Sequence, residues 1–125
     1  MLNPNQGFKK IVQKLKTRYK CEINKSDLTL KKLKECHLLL LGGPRMPFNA
    51  QEITDIRKYI EDGGRCMIMM AEGGEQKNNT NINAMLEQVG ISLNNDTVIR
   101  KTFHKYLHPK EAFIGNGCLS DELVK

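Results

Sequence analysis

Apolar positions follow two different periods along this chain. Phe8, Ile11, Val12, Leu15 and Tyr19 fall at the spacing of one helical face, with lysines filling the other side. Gly7 stands at the start of that face. The segment CEI, from Cys21, suits a short strand. Ser26 and Asp27 offer caps for a short helix running through Leu33, with Leu30 and Leu33 pointing inward. HLLLL, from His37 to Leu41, is a continuous apolar run too short for most helices. It suits a strand buried on both faces, as in a parallel sheet. GGPRMP breaks the run, since two glycines and two prolines oppose regular structure.

The helix that follows is clearly marked. Asn49 is a good N-cap, and Glu52 stands where a capping box needs it. Ile53, Ile56 and Ile60 form the apolar stripe, with Tyr59 beside them. Gly63 is placed to take the left-handed conformation that ends helices. CMIMM, Cys66 to Met70, reads as a second buried strand. Strand, helix and strand joined by short turns predict a βαβ unit with a right-handed crossover. AEGGEQKNN reads as a loop. Ile82, Met85, Leu86 and Val89 predict a third helix from near Thr80, stopped by Gly90. ISLNND is turn-like, TVIR reads as another strand, and Ala112 to Ile114 as a late one. The alternation predicts an α/β fold. We expect a Rossmann-like or flavodoxin-like open sandwich with a mostly parallel sheet. Without a visible linker or repeat, residues 1–125 are expected to form a single domain.

Composition narrows the class. At 125 residues and 39% apolar content, the chain suits one compact domain with a modest core. No apolar run approaches a membrane span, and the lysine-bearing N-terminus lacks the apolar stretch of a signal peptide. A soluble intracellular protein is the expectation. Cys21, Cys36, Cys66 and Cys118 are widely spaced, without a CxxC or zinc pattern, and read as reduced structural thiols.

The net charge of +6 is unevenly placed. Residues 1–45 hold 11 Lys and Arg against 3 Asp and Glu, a net of +8, whereas residues 46–125 hold 9 against 11, a net of −2. Lys9, Lys10 and Lys14 anchor a basic helical face, continued by Lys16, Arg18 and Lys20. Without interleaved aromatics or a nucleic-acid motif, this face reads as solvated or as a partner surface, and nucleic-acid binding is not expected.

In open α/β sheets, ligands bind beyond the carboxyl ends of the strands. The loops at Gly42–Arg45 and Glu72–Glu75 should both open there. Yet GGPRMP matches no phosphate-binding motif, and Pro44 and Pro47 remove two N–H groups that a phosphate nest would use. No GxSxG elbow exists, and Cys66 begins a strand instead of occupying a strand-to-helix turn. Glu72 and Glu75 could pair as carboxylates, but a polar turn explains them better. His104 and His108 have helical metal spacing, but Pro109 disfavours a helix and no third ligand is evident. No catalytic, cofactor or metal residue is assigned. Six asparagines lie within residues 78–95: Asn78, Asn79, Asn81, Asn83, Asn94 and Asn95. Turn and cap chemistry is their default role. Arg45, Glu72, Glu75, Asn81, Asn83, Asn94 and Asn95 are the candidate ligand or partner surface.

GPRMPFNAQE, KYIEDGG, MMAEGGE, TNINAMLEQVGI and NNDTVIRKTFHKYLHPKEA occur here in a specific order. From Gly7 to Leu119 the chain strongly resembles the N-terminal domain of a family of core intraflagellar transport complex B subunits of cilia. The resemblance implies a Rossmann-like domain acting as a non-catalytic scaffold or adaptor in trains that move cargo along ciliary microtubules. It implies no cofactor. The implied partners are other complex B subunits, with kinesin or cargo beyond them, without membrane insertion. The implied location is the cilium or flagellum, the basal body and the cytoplasm. The family usually places a strand before the helix at Phe8, where MLNPNQG has no apolar run. A sheet lacking that strand should expose backbone edges and apolar surface. The family's later regions, with its best-defined contacts to sister subunits, are not in this sequence. The alternative function is an α/β domain binding a small saccharide or nucleotide through Arg45, Glu72 and the asparagines.

Overall fold

The computed structural model describes residues 7–102 and 108–111. The chain packs as two units, Met1–Asn95 and Asp96–Lys125. In the first, the elements run α1 (Lys9–Lys16), α2 (Leu30–Lys34), β1 (Leu39–Gly42), α3 (Ala50–Glu61), β2 (Cys66–Met69), α4 (Gly74–Asn78) and α5 (Asn83–Leu86). A 3-10 turn, Glu87–Val89, extends α5. Strands β1 and β2 pair in parallel, with Leu39 opposite Cys66 and Gly42 opposite Met69. Strand, helix and parallel strand are therefore present as expected.

Alternation along the strands separates two faces. Leu39, Leu41, Cys66 and Ile68 turn inward. Leu41 joins Leu33 of α2, Ile56 and Tyr59 of α3, and Ile82, Met85 and Leu86 in the buried core. The other face is not covered as the apolar runs suggested: Leu40 is 38% exposed and Met67 50%. The expectation of strands buried on both faces is thus corrected. Continuous hydrophobicity did not distinguish a covered face from an uncovered one.

The ends of α3 follow their sequence signals. Asn49 Oδ1 accepts the Glu52 N–H at 2.8 Å, and Glu52 Oε2 accepts the Asn49 N–H at 3.0 Å. Both halves of the capping box are made. At the other end Gly63 has φ +89°. Its N–H reaches the Ile60 carbonyl at 2.9 Å, while Gly64 N–H reaches that of Tyr59 at 2.8 Å, the paired bonds of a Schellman stop.

Several expected elements differ. The short α2 is capped neither by Ser26 nor by Asp27. It starts after Thr29, which makes no side-chain cap, and its Leu30 N–H is taken by Asp55 of α3 at 2.9 Å. Glu52 likewise takes the Leu28 N–H at 3.0 Å. A carboxylate far along the chain replaces the local cap. CEI forms no strand. The glycine-rich stretch expected to be a loop contains α4, and the third helix starts at Asn83, not near Thr80. TVIR forms no strand, and its Val98 and Ile99 are exposed. The late strand expected at Ala112–Ile114, together with His104 and Cys118, lies outside the described residues, as do residues 1–6. No helix among the described residues is long and apolar enough to cross a membrane.

Candidate functional site at the carboxyl ends of the strands

The parallel register sends both chain segments out at one edge of the sheet. Gly43 N–H caps β2 by bonding the Met69 carbonyl at 2.7 Å. The Gly42–Arg45 and Glu72–Glu75 loops therefore open side by side, as expected. What they hold is a brace of side-chain-to-backbone bonds.

Asn81 faces Phe48 like a strand neighbour. Its Oδ1 accepts the Phe48 N–H at 2.7 Å, and its Nδ2 donates to the Phe48 carbonyl at 2.9 Å. Thr80 Oγ1 adds a bond to the Met46 carbonyl at 3.3 Å. The loop after β1 is thus tied to the segment before α5. Asn83 repeats the device on Leu93, accepting its N–H at 2.9 Å and donating to its carbonyl at 3.0 Å. Glu75 is half-buried, and its Oε1 accepts the Asn83 N–H at 2.6 Å, which places it as the cap of α5.

The glycine pair has a specific reason. Gly73 and Gly74 have φ +90° and +59°, where other side chains are strained. Gly74 is buried, and a Cβ on it would collide with the Asn95 amide and lie 3.0 Å from the Asn94 carbonyl. Asn78, also buried, donates from Nδ2 to the carbonyls of Gly74 at 2.8 Å and Ala71 at 3.3 Å. Asn79 stops α4 at φ 51°, a conformation asparagine tolerates.

The predicted surface therefore divides. Glu75, Asn81 and Asn83 are joined through the brace, and Asn94 and Asn95 wall Gly74. Glu72 is exposed and pairs with Lys77 at 3.1 Å. Arg45, in the loop after β1, is exposed. Among the described residues no buried side-chain nitrogen or oxygen lacks a partner, and no three His, Cys, Asp or Glu stand close enough for a metal. A cavity of about 480 Å³ lies elsewhere, against Ile60, Cys66, Ile68, Met70, Met85 and Leu86. None of the predicted surface residues lines it.

At the amino ends of the strands, sequence reading missed a hub. The buried Tyr59 hydroxyl lies 3.3 Å from the Cys36 carbonyl and 3.2 Å from that of Arg65, and accepts the Arg65 N–H at 3.2 Å. Burial, foremost, raises its pKa. Burial, then the neighbouring Cys36, pushes the Cys66 thiol up to about 11. Cys66 is a poor nucleophile in this setting. The missed signal was the line of Glu52, Asp55 and Tyr59 along one row of α3, polar groups beside an apolar stripe.

The family model of the IFT52 GIFT domain matches residues 1–125. The chain belongs to that family. It is 42% identical over 121 residues to the human "Intraflagellar transport protein 52 homolog" and 40% identical to the mouse one, covering 97% of this chain in each case. The chain spans 28% of the length of these relatives. A solved structure, "mmIFT52 N-terminal domain", matches with a TM-score of 0.81 at 38% identity, covering the whole of this chain and 56% of that one. The asparagine and glycine brace is thus a feature of an IFT52 GIFT domain with an α/β core.

Proposed function

We propose that residues 1–125 work as one Rossmann-like N-terminal domain, a non-catalytic scaffold or adaptor of intraflagellar transport complex B. In this reading the domain helps carry protein cargo along ciliary microtubules and supports cilium assembly. Its partners are other complex B subunits, with kinesin or cargo reached through them. It works at the basal body and in the cilium, after supply from the cytoplasm. Membership of the IFT52 family, whose relatives carry transport names, supports this role.

The observation that carries the reading is the state of the strand-end polar groups. Glu75, Asn81 and Asn83 bond backbone groups of their own fold. A ligand site needs several polar groups converging on an open cavity. Here the loops serve rigidity, which suits a surface that presents partners. Arg45, Glu72, Asn94 and Asn95 remain exposed at the same edge and form the part of the predicted surface available to a partner. The test is rescue of cells lacking the full-length protein. The intact protein should restore cilium length, and the same protein without residues 1–125 should leave cilia short or absent. Full rescue by the deleted form would overturn the reading.

A further inference from the structure

Several cations of this chain have a carboxylate beside them. Lys34 pairs with Asp62 at 2.8 Å, Arg57 with Glu61 at 2.8 Å and Lys77 with Glu72 at 3.1 Å. Helix α1 is different. Four of its eight residues are lysines, Lys9, Lys10, Lys14 and Lys16, and none is acidic. None of the four forms an ion pair among the described residues. Their placement does not serve the helix. Lys9 and Lys10 occupy the first turn, where the helix dipole favours negative charge. Lys10 and Lys14, four apart, repel each other along one side. Phe8, Val12 and Leu15 are half-buried and mark the side turned to the fold. A Cβ on Gly42 would lie 2.7 Å from Phe8 Cε2, which sets that end of the helix against β1. By helical spacing Lys10 and Lys14 stand on the opposite, outward side, with Lys9 and Lys16 along one flank. All four are exposed. An α/β domain grows by strands at the edges of its sheet and helices within its layers, and neither covers the outward side of a helix already in a layer. Lysines in water also leave no apolar surface that folding must bury.

We propose that the outward side of α1 is a contact site for a flexible segment of a partner protein rich in glutamate and aspartate. This contact rests on the scaffold reading and deepens it, by giving the chemistry of one partner. Charge complementarity requires an anion. A single helix face is convex, and no residue of α1 lines the cavity at Ile60, Cys66 and Ile68. The partner is therefore one that needs no pocket, as a flexible chain does not. The charge comes from lysine. Its ammonium is a hydrated point charge without the planar fork with which arginine grips phosphate, so carboxylates are sufficient anions. Lys10, Gln13 and Lys14 make up the outward side, which offers no aromatic ring for base stacking and no large apolar side chain for insertion into lipid.

The experiment uses the full-length protein and a fluorescent peptide of about twenty residues, with glutamate and aspartate spaced by glycine and serine. Anisotropy should show saturable binding that weakens steeply as salt rises. Lys10→Glu with Lys14→Glu should weaken it about tenfold or more. Lys10→Arg with Lys14→Arg should leave it within about twofold. Lys31→Glu with Lys58→Glu makes the same charge change on exposed residues of α2 and α3. That pair should also change binding less than about twofold, with circular dichroism melting used to check that each variant is folded. Absence of binding by the unaltered protein overturns the proposal. So does equal loss from the two glutamate pairs, or tighter binding of phosphatidylserine vesicles or duplex RNA than of the peptide. Acetylation of the full-length protein alone, read by mass spectrometry, supplies the last arm. Fast labelling of Lys10 and Lys14 supports an open site; protection of both means its own chain occupies the face, and the proposal falls. These failures leave the rescue test of the scaffold reading untouched, so the two are told apart.

Discussion

Single asparagines and glycines set the shape of the strand-end edge. Asn81→Ala removes both bonds to Phe48 and should cost about 1–3 kcal/mol of stability. Chemical denaturation of the folded domain measures this, and Asn81→Asp should recover only part, because the donor to the Phe48 carbonyl is lost. Gly74→Ala meets strained φ and the Asn95 amide together, and should destabilise more than Gly63→Ala, which is strained but meets nothing nearby. Melting temperatures of the two variants give the order. Cys66 provides a pH test. Its folded pKa is raised, so its protonated form is favoured and its contribution is intact below the ordinary thiol pKa. Stability should then fall as pH rises from about 9 through about 11, by on the order of 1 kcal/mol for a half-buried thiol. Cys66→Ala should flatten that window in pH-dependent unfolding. A cluster of asparagines was visible in the sequence, and turn chemistry was its default reading. The partners were not visible, because Phe48 and Leu93 are reached across folds of the chain that local spacing does not encode.

At the scale of elements, legibility followed the range of the interactions. Helix α3 was readable end to end, since Asn49, Glu52 and Gly63 act within one turn of the residues they serve. Asn49→Ala should cost about 1 kcal/mol by loss of the cap, read by thermal unfolding. Helix α2 was misplaced because its first N–H bonds Asp55, which lies 25 residues away. Asp55→Asn retains an acceptor, whereas Asp55→Ala leaves the Leu30 N–H and the Gln51 amide unserved. The alanine variant should be the less stable by about 1 kcal/mol or more, measured by urea unfolding. The segment TVIR shows the converse error. Its β-branched residues favour a strand, yet propensity alone builds no strand ladder, and Val98 and Ile99 stay exposed. Helix α4 was hidden because glycines that read as turn residues occupy its first turn at positive φ.

At the scale of the molecule, the family was readable from ordered words such as EGGE, TNIN and YLHPKEA, and the α/β class from alternating elements. The covered and uncovered faces of the sheet were not readable, because Leu40 and Leu41 differ only in the direction their side chains take. The central claim is that residues 1–125 serve assembly through protein contacts, with Glu75, Asn81 and Asn83 at the strand ends committed to internal bracing. The most direct measurement reconstitutes complex B with the full-length protein or with a form lacking residues 1–125, and quantifies every subunit and associated motor retained on an affinity matrix. The account predicts that the deletion loses, or weakens by about tenfold or more, at least one component while the remaining complex stays assembled. Identical composition and affinity with and without these residues would contradict it.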